Sequence, residues 1–246
     1  MSKNFELLQQ AGWHQEYFDG LPSPPLTENR STPVLPERLP IRNDPTSALI
    51  RKVFLDSRES RARMVMFCGV ARGVGCTWTC ANTAKALANS VAGRICVIDA
   101  NFAVPSLHSY FSAQLSAGFS DALLESAPPQ QFAVQFENTN LWFLPAGLRC
   151  KRVPAFSDNS LLESHFRELR SAFDYLLVDV AALPPGPLAK SIGRVVDGAV
   201  LVLESSGIAA NALLQARKLF HRARVQLFGV VLNQRTPATV LDRLLK

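Results

Sequence analysis

The stretch MVMFCGVARGVGCT, residues 64–77, decides the fold class. Its first six residues form an apolar run, which is typical of a strand covered on both faces. A glycine-containing turn follows, and the segment from Thr77 to Ala92 has the pattern of a helix. A buried strand that turns directly into a helix is the opening unit of a parallel α/β sheet.

The same alternation of short apolar runs and helical segments continues along the chain. Further strand-like runs are RICVIDA (94–100), LWFLPAG (141–147), DYLLVDV (174–180), DGAVLVLES (197–205) and QLFGVVLN (226–233). Helices are predicted between them, including residues 159–173 and 209–222. These βα units predict an α/β fold with a doubly wound, mostly parallel sheet. Ligands of such sheets bind beyond the carboxyl ends of the strands.

The first 45 residues differ from the α/β domain, which we place at residues 46–246. Residues 21–45 contain seven prolines and predict an extended linker. Apolar and aromatic residues in 1–20 predict a short amphipathic helix, which either docks on a partner or packs on the domain. A helix is also predicted from Ala48 to Leu55. Its Arg-rich end is either a solvated surface or a contact for a neighbouring subunit.

The composition limits the class of protein more than it defines the function. The 246 residues carry a net charge of +6, which fits a slightly basic protein and leaves acidic partners, nucleic acid or a membrane surface open. No apolar run is long enough to cross a bilayer, and the start lacks a signal-peptide core. The five cysteines have no zinc-finger spacing. They predict buried, reduced thiols in a cytoplasmic protein.

The turn after the first strand has the features of a phosphate-binding loop. Gly73 and Gly75 let successive amides turn inward, and the helix that starts near Thr77 adds a partial positive charge. Thr77 occupies the position whose hydroxyl binds Mg²⁺ in the pattern G-x-x-x-x-G-K-[ST]. Val70 replaces the first glycine of that pattern, and Cys76 replaces the lysine. A neutral thiol cannot act as the missing cation.

Two carboxylates follow strand-like runs close to this loop. Asp99 ends RICVID, and Asp179 ends YLLVD. Carboxylates at neighbouring strand tips could hold Mg²⁺ directly or through water. Each could instead cap the turn or helix that follows it. Together with Thr77, the pair favours a present or former Mg-nucleotide site.

Longer motifs now make a family resemblance specific. The segments are IDANFAVPSLH (98–108), LPAG (144–147), FDYLLVD (173–179), DGAVLV (197–202) and GVVLN (229–233). In this order they resemble the CpsD/CapB-like bacterial tyrosine kinases of exopolysaccharide biosynthesis, within the MinD/ParA group of P-loop ATPases. The resemblance implies a P-loop NTPase-like fold and binding of ATP or ADP with Mg²⁺.

The resemblance also implies a role for individual residues. Thr77 and Asp179 would belong to the Mg²⁺ site, and Asp99 would order the catalytic end. Asn233 would bind the adenine edge, with Gln234 and Arg235 beside the base. The implied nucleotide-binding set is Arg72, Gly73, Val74, Gly75, Cys76, Thr77, Trp78, Asn233 and Gln234.

Several departures from the family pattern argue against phosphotransfer. Cys76 replaces the lysine, Asn101 replaces a second aspartate, and Ala103 replaces an arginine. The tyrosine-rich tail of the active kinases is absent. These losses predict a pseudo-kinase, with Asp99 and Asp179 at its former catalytic centre and Cys76 and Asn101 as degenerate positions.

Three functions follow from these observations. The first is a cytoplasmic regulatory subunit, held at the inner membrane by a polysaccharide co-polymerase of the chain-length-regulating kind. The second is an active ATPase or tyrosine kinase of the same pathway, in which Arg72 supplies the missing charge. The third is a MinD/ParA-type positioning ATPase, which would fit an amphipathic segment at residues 237–246. Homo-oligomers fit each of them, and nucleic acid is not an expected partner of the first.

Overall fold

The computed structural model describes residues 45–55, 62–153, 160–183, 186–204 and 210–233. Several predictions concern residues outside these ranges. They are the helix within residues 1–20, most of the linker at 21–45, the adenine-side residues Gln234 and Arg235, and the amphipathic segment at 237–246. They stay predictions, and so does the division of the chain into residues 1–20, 21–45 and 46–246.

The described residues form seven strands and six α-helices. The strands are β1 (Met64–Gly69), β2 (Ile95–Asp99), β3 (Val134–Gln135), β4 (Leu141–Leu144), β5 (Tyr175–Asp179), β6 (Gly198–Glu204) and β7 (Leu227–Asn233). The helices are α1 (Pro45–Ile50), α2 (Cys76–Ala88), α3 (Phe119–Glu125), α4 (Ser160–Ala172), α5 (Pro187–Gly193) and α6 (Ala210–Ala223). A π-helical turn, Arg51–Leu55, continues α1, and short 3₁₀ helices lie at Leu107–Phe111, Pro129–Phe132 and Cys150–Arg152.

The strands form one sheet in the order β3-β4-β2-β5-β1-β6-β7. All neighbouring strands are parallel except β3, which pairs antiparallel with β4. The prediction of a doubly wound, mostly parallel sheet is therefore confirmed. β3 was not predicted, because a strand of two residues leaves no alternation in the sequence.

Each face of the sheet carries its own apolar core, and β1 contributes to both. Val65 and Phe67 point to the face covered by α1 and α2. Met64, Met66 and Cys68 point to the opposite face, which α3, α4, α5 and α6 cover. This division follows from the two-residue repeat of a strand. Because all six residues of β1 are buried, the strand is held rigidly beneath the loop that follows it.

The last strand departs from the sequence prediction. We expected strands covered on both faces, and β1, β2 and most of β6 are buried in this way. In β7, however, Val230 is 42% exposed and Leu232 is 58% exposed. β7 is an edge strand, so only β6 pairs with it in the described part of the chain. An apolar strand sequence alone does not distinguish an edge position from a central one.

The thiols fit most of the expectation that the cysteines are buried. All five cysteines are free; Cys68, Cys80 and Cys96 are buried, whereas Cys76 and Cys150 are half-buried. Within the described ranges, no helix is both long and apolar enough to span a bilayer.

Candidate functional site

The tips of β1, β2 and β5 lie side by side at the carboxyl edge of the sheet. Asp99 ends β2 and is in register with Asp179, which ends β5. β5 also pairs with β1, whose last residue, Gly69, leads into the glycine-containing loop. The sheet therefore brings together the loop and the two carboxylates that the sequence placed at separate strand ends.

The loop has the backbone conformation that its glycines predict. Gly73 has φ 81° and Gly75 has φ 84°, in the left-handed region that favours glycine. A Cβ added to Gly75 would lie 2.1 Å from Nδ2 of Asn233. That same Nδ2 donates a hydrogen bond of 3.0 Å to the carbonyl of Val74. Asn233, at the end of β7, thus fixes the loop from the other side of the site.

The N-terminus of α2 faces this loop. The helix begins at Cys76, and its cap residue, Gly75, makes no side-chain cap hydrogen bond to the first turn. Free amides at a helix N-terminus carry a partial positive charge and bind anions such as phosphate. The loop and the helix together supply backbone donors without a lysine.

The carboxylate of Asp99 holds the loop that follows β2 in place. Its carboxylate accepts hydrogen bonds from the amides of Asn101 (3.1 Å), Ser106 (3.1 Å) and Leu107 (3.0 Å). Burial raises the pKa of Asp99 to about 6, although these three donors act in the opposite direction. The carboxylate therefore anchors the loop after β2 and has few acceptor positions left for a ligand.

Asp179 is in the opposite situation. Its side chain is fully buried, and neither carboxylate oxygen has a hydrogen-bond partner at bonding distance among the described residues. Burial, followed by the charge of Asp99, raises its pKa to about 8, although the nearby side chains of Thr77 and Cys76 act to lower it. An unpartnered buried carboxylate is unstable unless it is protonated or meets a cation.

Thr77 and Asp179 fit a magnesium ion that is shared with a nucleotide. The described residues contain no group of three or more His, Cys, Asp or Glu side chains that could hold a metal. Mg²⁺ needs no such cage, because it keeps several waters and takes one or two protein ligands plus phosphate oxygens. The buried, unpartnered oxygens of Asp179 beside the Thr77 hydroxyl are suited to that role.

Cys76 occupies the lysine position without supplying a charge. Its thiol is half-buried beside Asp179. Burial, followed by the nearby charge of Asp179, raises the pKa of Cys76 well above the ordinary value for a thiol. The side chain is therefore neutral at physiological pH, so no cation at this position matches the buried carboxyl group of Asp179.

The remaining predicted residues lie around this centre without entering it. Asn101 turns back on its own loop, where its Oδ1 accepts a 3.4 Å hydrogen bond from the amide of Val104. Arg72 is exposed in the turn, and Trp78 is 47% exposed in the first turn of α2. The predicted contact of Asn233 with adenine stays a prediction, since its amide nitrogen bonds to Val74.

Sequence reasoning missed two contributors to the site. Cys68, in β1, lies close enough for the charge of Asp179 to raise its pKa, and burial brings that pKa to about 12. The amides of Ser106 and Leu107 bind Asp99 from seven and eight residues further along the chain. The apolar strand pattern indicates that Cys68 is buried, but no sequence signal predicts which amides hydrogen-bond to Asp99.

A phosphate-type loop between a buried strand and a helix, with carboxylates at adjacent strand tips, defines a P-loop ATPase-like protein. The sequence model of the family described as "Cellulose biosynthesis protein BcsQ" matches residues 62–243. The chain therefore belongs to the BcsQ family.

Individual relatives confirm the resemblance to the bacterial tyrosine kinases. Tyrosine-protein kinase YwqD of Bacillus subtilis is 25% identical over 178 residues, which are 72% of this chain and 74% of the relative. The succinoglycan biosynthesis transport protein ExoP of Rhizobium meliloti is 29% identical over 184 residues. That match spans 71% of this chain but only 22% of ExoP.

Solved structures support the fold. A chimeric protein, CapA2B2, has a TM-score of 0.68 at 20% identity and covers 79% of this chain and 87% of its own. A plasmid partition protein of Borrelia burgdorferi, bound to AMPPNP, has a TM-score of 0.58 at 16% identity, with 76% and 83% covered. This chain thus shares its fold with the chimeric CapA2B2 and with a plasmid partition protein.

Proposed function

We propose that this chain is a cytoplasmic, non-catalytic subunit of exopolysaccharide biosynthesis that regulates a polysaccharide protein of the inner membrane. The observation that carries the proposal is the neutral Cys76 thiol beside the unpartnered, buried carboxylate of Asp179. A phosphoryl-transfer site needs cations around the transferred group, and this position has lost one. The family description points to cellulose as the glycan.

A nucleotide could still bind where catalysis is lost. Gly73, Gly75 and the first turn of α2 would hold phosphate through backbone amides, and Thr77 and Asp179 would hold Mg²⁺. When bound, Mg²⁺ would neutralise phosphate charge and the Asp179 carboxylate together. Binding of ATP or ADP would then regulate the subunit without hydrolysis or phosphoryl transfer.

The second candidate is an active ATPase or tyrosine kinase of the same pathway. It is supported by the names of the relatives and by Asp179, which ends β5 beside the strand that leads into the loop before Thr77. In that case Arg72, which lies in the exposed turn, would supply the charge that Cys76 lacks. A partition-type positioning role is supported by fold likeness alone.

The regulatory role is tested by capture of the partner. We expect the tagged chain to retain an inner-membrane polysaccharide protein from solubilised native membranes. Removal of residues 1–20 should weaken that capture without lowering the melting temperature, because a proline-rich segment of residues 21–45 could extend about 3 Å per residue. A chain in which residues 1–20 are scrambled is the matched control. Capture of DNA, or of no membrane protein, would contradict the proposal.

A further inference from the structure

A cavity of about 650 Å³ lies between α5, α6 and the sheet, and its lining includes Cys68, a neighbour of Asp179 in the nucleotide-type site. Its wall and floor are mostly apolar. They include Met66 and Cys68 of β1, Ala189 of α5, Phe220 of α6, and Val225, all of them buried. Protein interiors rarely keep voids larger than a water molecule. A volume within the range of about 300 to 1,000 Å³ is typical of small-molecule sites.

The size of the cavity follows from the small residues of α5. This helix has only seven residues, and it presents Ala189 and Gly193 to the space beside α6. A Cβ on Gly193 would lie 2.9 Å from Cγ2 of Val225, so α5 is already close to the segment that follows α6 at that point.

The rim of the cavity is positively charged. Four exposed cations line it: Lys190, Arg194, Arg222 and Arg224. No Asp or Glu is among the lining residues. Within the described ranges, none of the four side chains forms an ion pair or a side-chain hydrogen bond. Four unpaired positive charges around a single opening create an electrostatic field that attracts an anion.

We propose that this cavity binds an amphiphilic anion, with its hydrocarbon body on the apolar floor and its carboxylate or phosphate head at the basic rim. The apolar floor alone would accept any hydrophobic molecule, and the rim alone would attract any anion. Only a ligand with both a hydrocarbon body and an anionic head matches the apolar floor and the basic rim together. Cys68 belongs to the floor and directly precedes Gly69, so the ligand lies beneath the loop of the nucleotide-type site.

Binding is tested with dodecanoate, below its micelle concentration, by displacement of the fluorescent probe 1-anilinonaphthalene-8-sulfonate from the full chain. We expect saturable one-to-one binding. Butanoate, which lacks the body, and dodecan-1-ol, which lacks the charge, should each displace the probe at least about tenfold less well. Equal displacement by dodecan-1-ol and dodecanoate would overturn the role of the rim.

Variants then locate the binding site. The double variant Arg194→Gln/Arg222→Gln should weaken dodecanoate binding about tenfold, since two exposed charged contacts are lost. Ala189→Leu should prevent binding by filling the cavity. Arg217→Gln is the matched control, because Arg217 is an exposed residue of α6 outside the lining. Unchanged binding in the double variant, with a normal melting temperature, would overturn the assignment even if Ala189→Leu fails to fold.

A flotation assay distinguishes a lipid from a free anion as the source of the head group. Vesicles of phosphatidylglycerol and of phosphatidylcholine are compared. Binding to phosphatidylglycerol that is lost in the double variant and kept in Arg217→Gln would support the site and assign a membrane lipid. Dodecanoate binding without flotation would support the site and assign a free anion. The absence of both would overturn the proposal.

Discussion

Asp179→Asn should stabilise the protein at neutral and alkaline pH, although it alters the centre of the candidate site. The native carboxylate is fully buried, and in the described part of the chain neither of its oxygens has a partner at hydrogen-bonding distance. Burial and the charge of Asp99 raise its pKa from 3.8 to about 8. Asparagine has nearly the same shape and carries no charge, so it removes the cost of ionising this side chain.

The sign and the pH window follow from that shift. Because the folded protein holds the Asp179 proton more tightly than the unfolded chain, stability decreases as pH rises from about 4 to 8. The full shift corresponds to at most about 6 kcal/mol. Water entry and movement of nearby side chains reduce this cost, so we expect Asp179→Asn to gain about 2–3 kcal/mol at pH 8 and almost nothing at pH 4.

Denaturant unfolding at a series of pH values measures the effect. The free energy of unfolding should fall between pH 4 and 8 in the native protein and change much less in Asp179→Asn. Asp174→Asn, at the opposite end of β5, is the comparison: its side chain is 50% exposed and pairs with Arg63, so this substitution should give no gain in stability at pH 8. A variant that is less stable than the native protein at pH 8 would refute the claim that Asp179 is an unpartnered buried acid.

Two further substitutions test the loop. Cys76→Lys should raise the affinity for ATP about tenfold to a hundredfold, because a charge-assisted contact to phosphate contributes about 1.5–3 kcal/mol. Calorimetry measures the affinity, and the control Cys76→Ser should show no gain. If Cys76→Lys also shows no gain, the loop has lost its phosphate-binding geometry. Gly75→Ala should cost about 1–3 kcal/mol in thermal unfolding, because φ is 84° and the added Cβ would meet Asn233. Gly186→Ala, where an added Cβ has nothing within 4 Å, should leave stability nearly unchanged and serves as the control.

The unit of β1, loop and α2 was predictable because its signals are local. Six apolar residues, two glycines and a helical repeat lie within one short stretch, and the strand occupies the predicted residues 64–69. The end of α2 was less predictable. The helix stops at Ala88 instead of Ala92, with Asn89 as its C-cap residue. Neither glycine nor proline occurs between Asn89 and Ala92, so no strong helix-breaking residue marks the end before Gly93.

The electrostatic state of the site could not be predicted from the sequence. Asp99 and Asp179 have the same local pattern, a carboxylate at the end of an apolar run. In the fold, Asp99 binds three backbone amides, whereas the oxygens of Asp179 have no partner at bonding distance. The difference arises from a loop that returns to β2 and from the burial of β5 between two strands. Both are long-range features of the chain.

Steady-state phosphate release by the pure protein, with ATP and Mg²⁺, tests the central claim most directly. The missing cation at Cys76 and the amide at Asn101 predict turnover no higher than that of an Asp179→Ala control. Measurable turnover in the native protein that disappears in Asp179→Ala would contradict the account, and would show that this site hydrolyses ATP without its lysine.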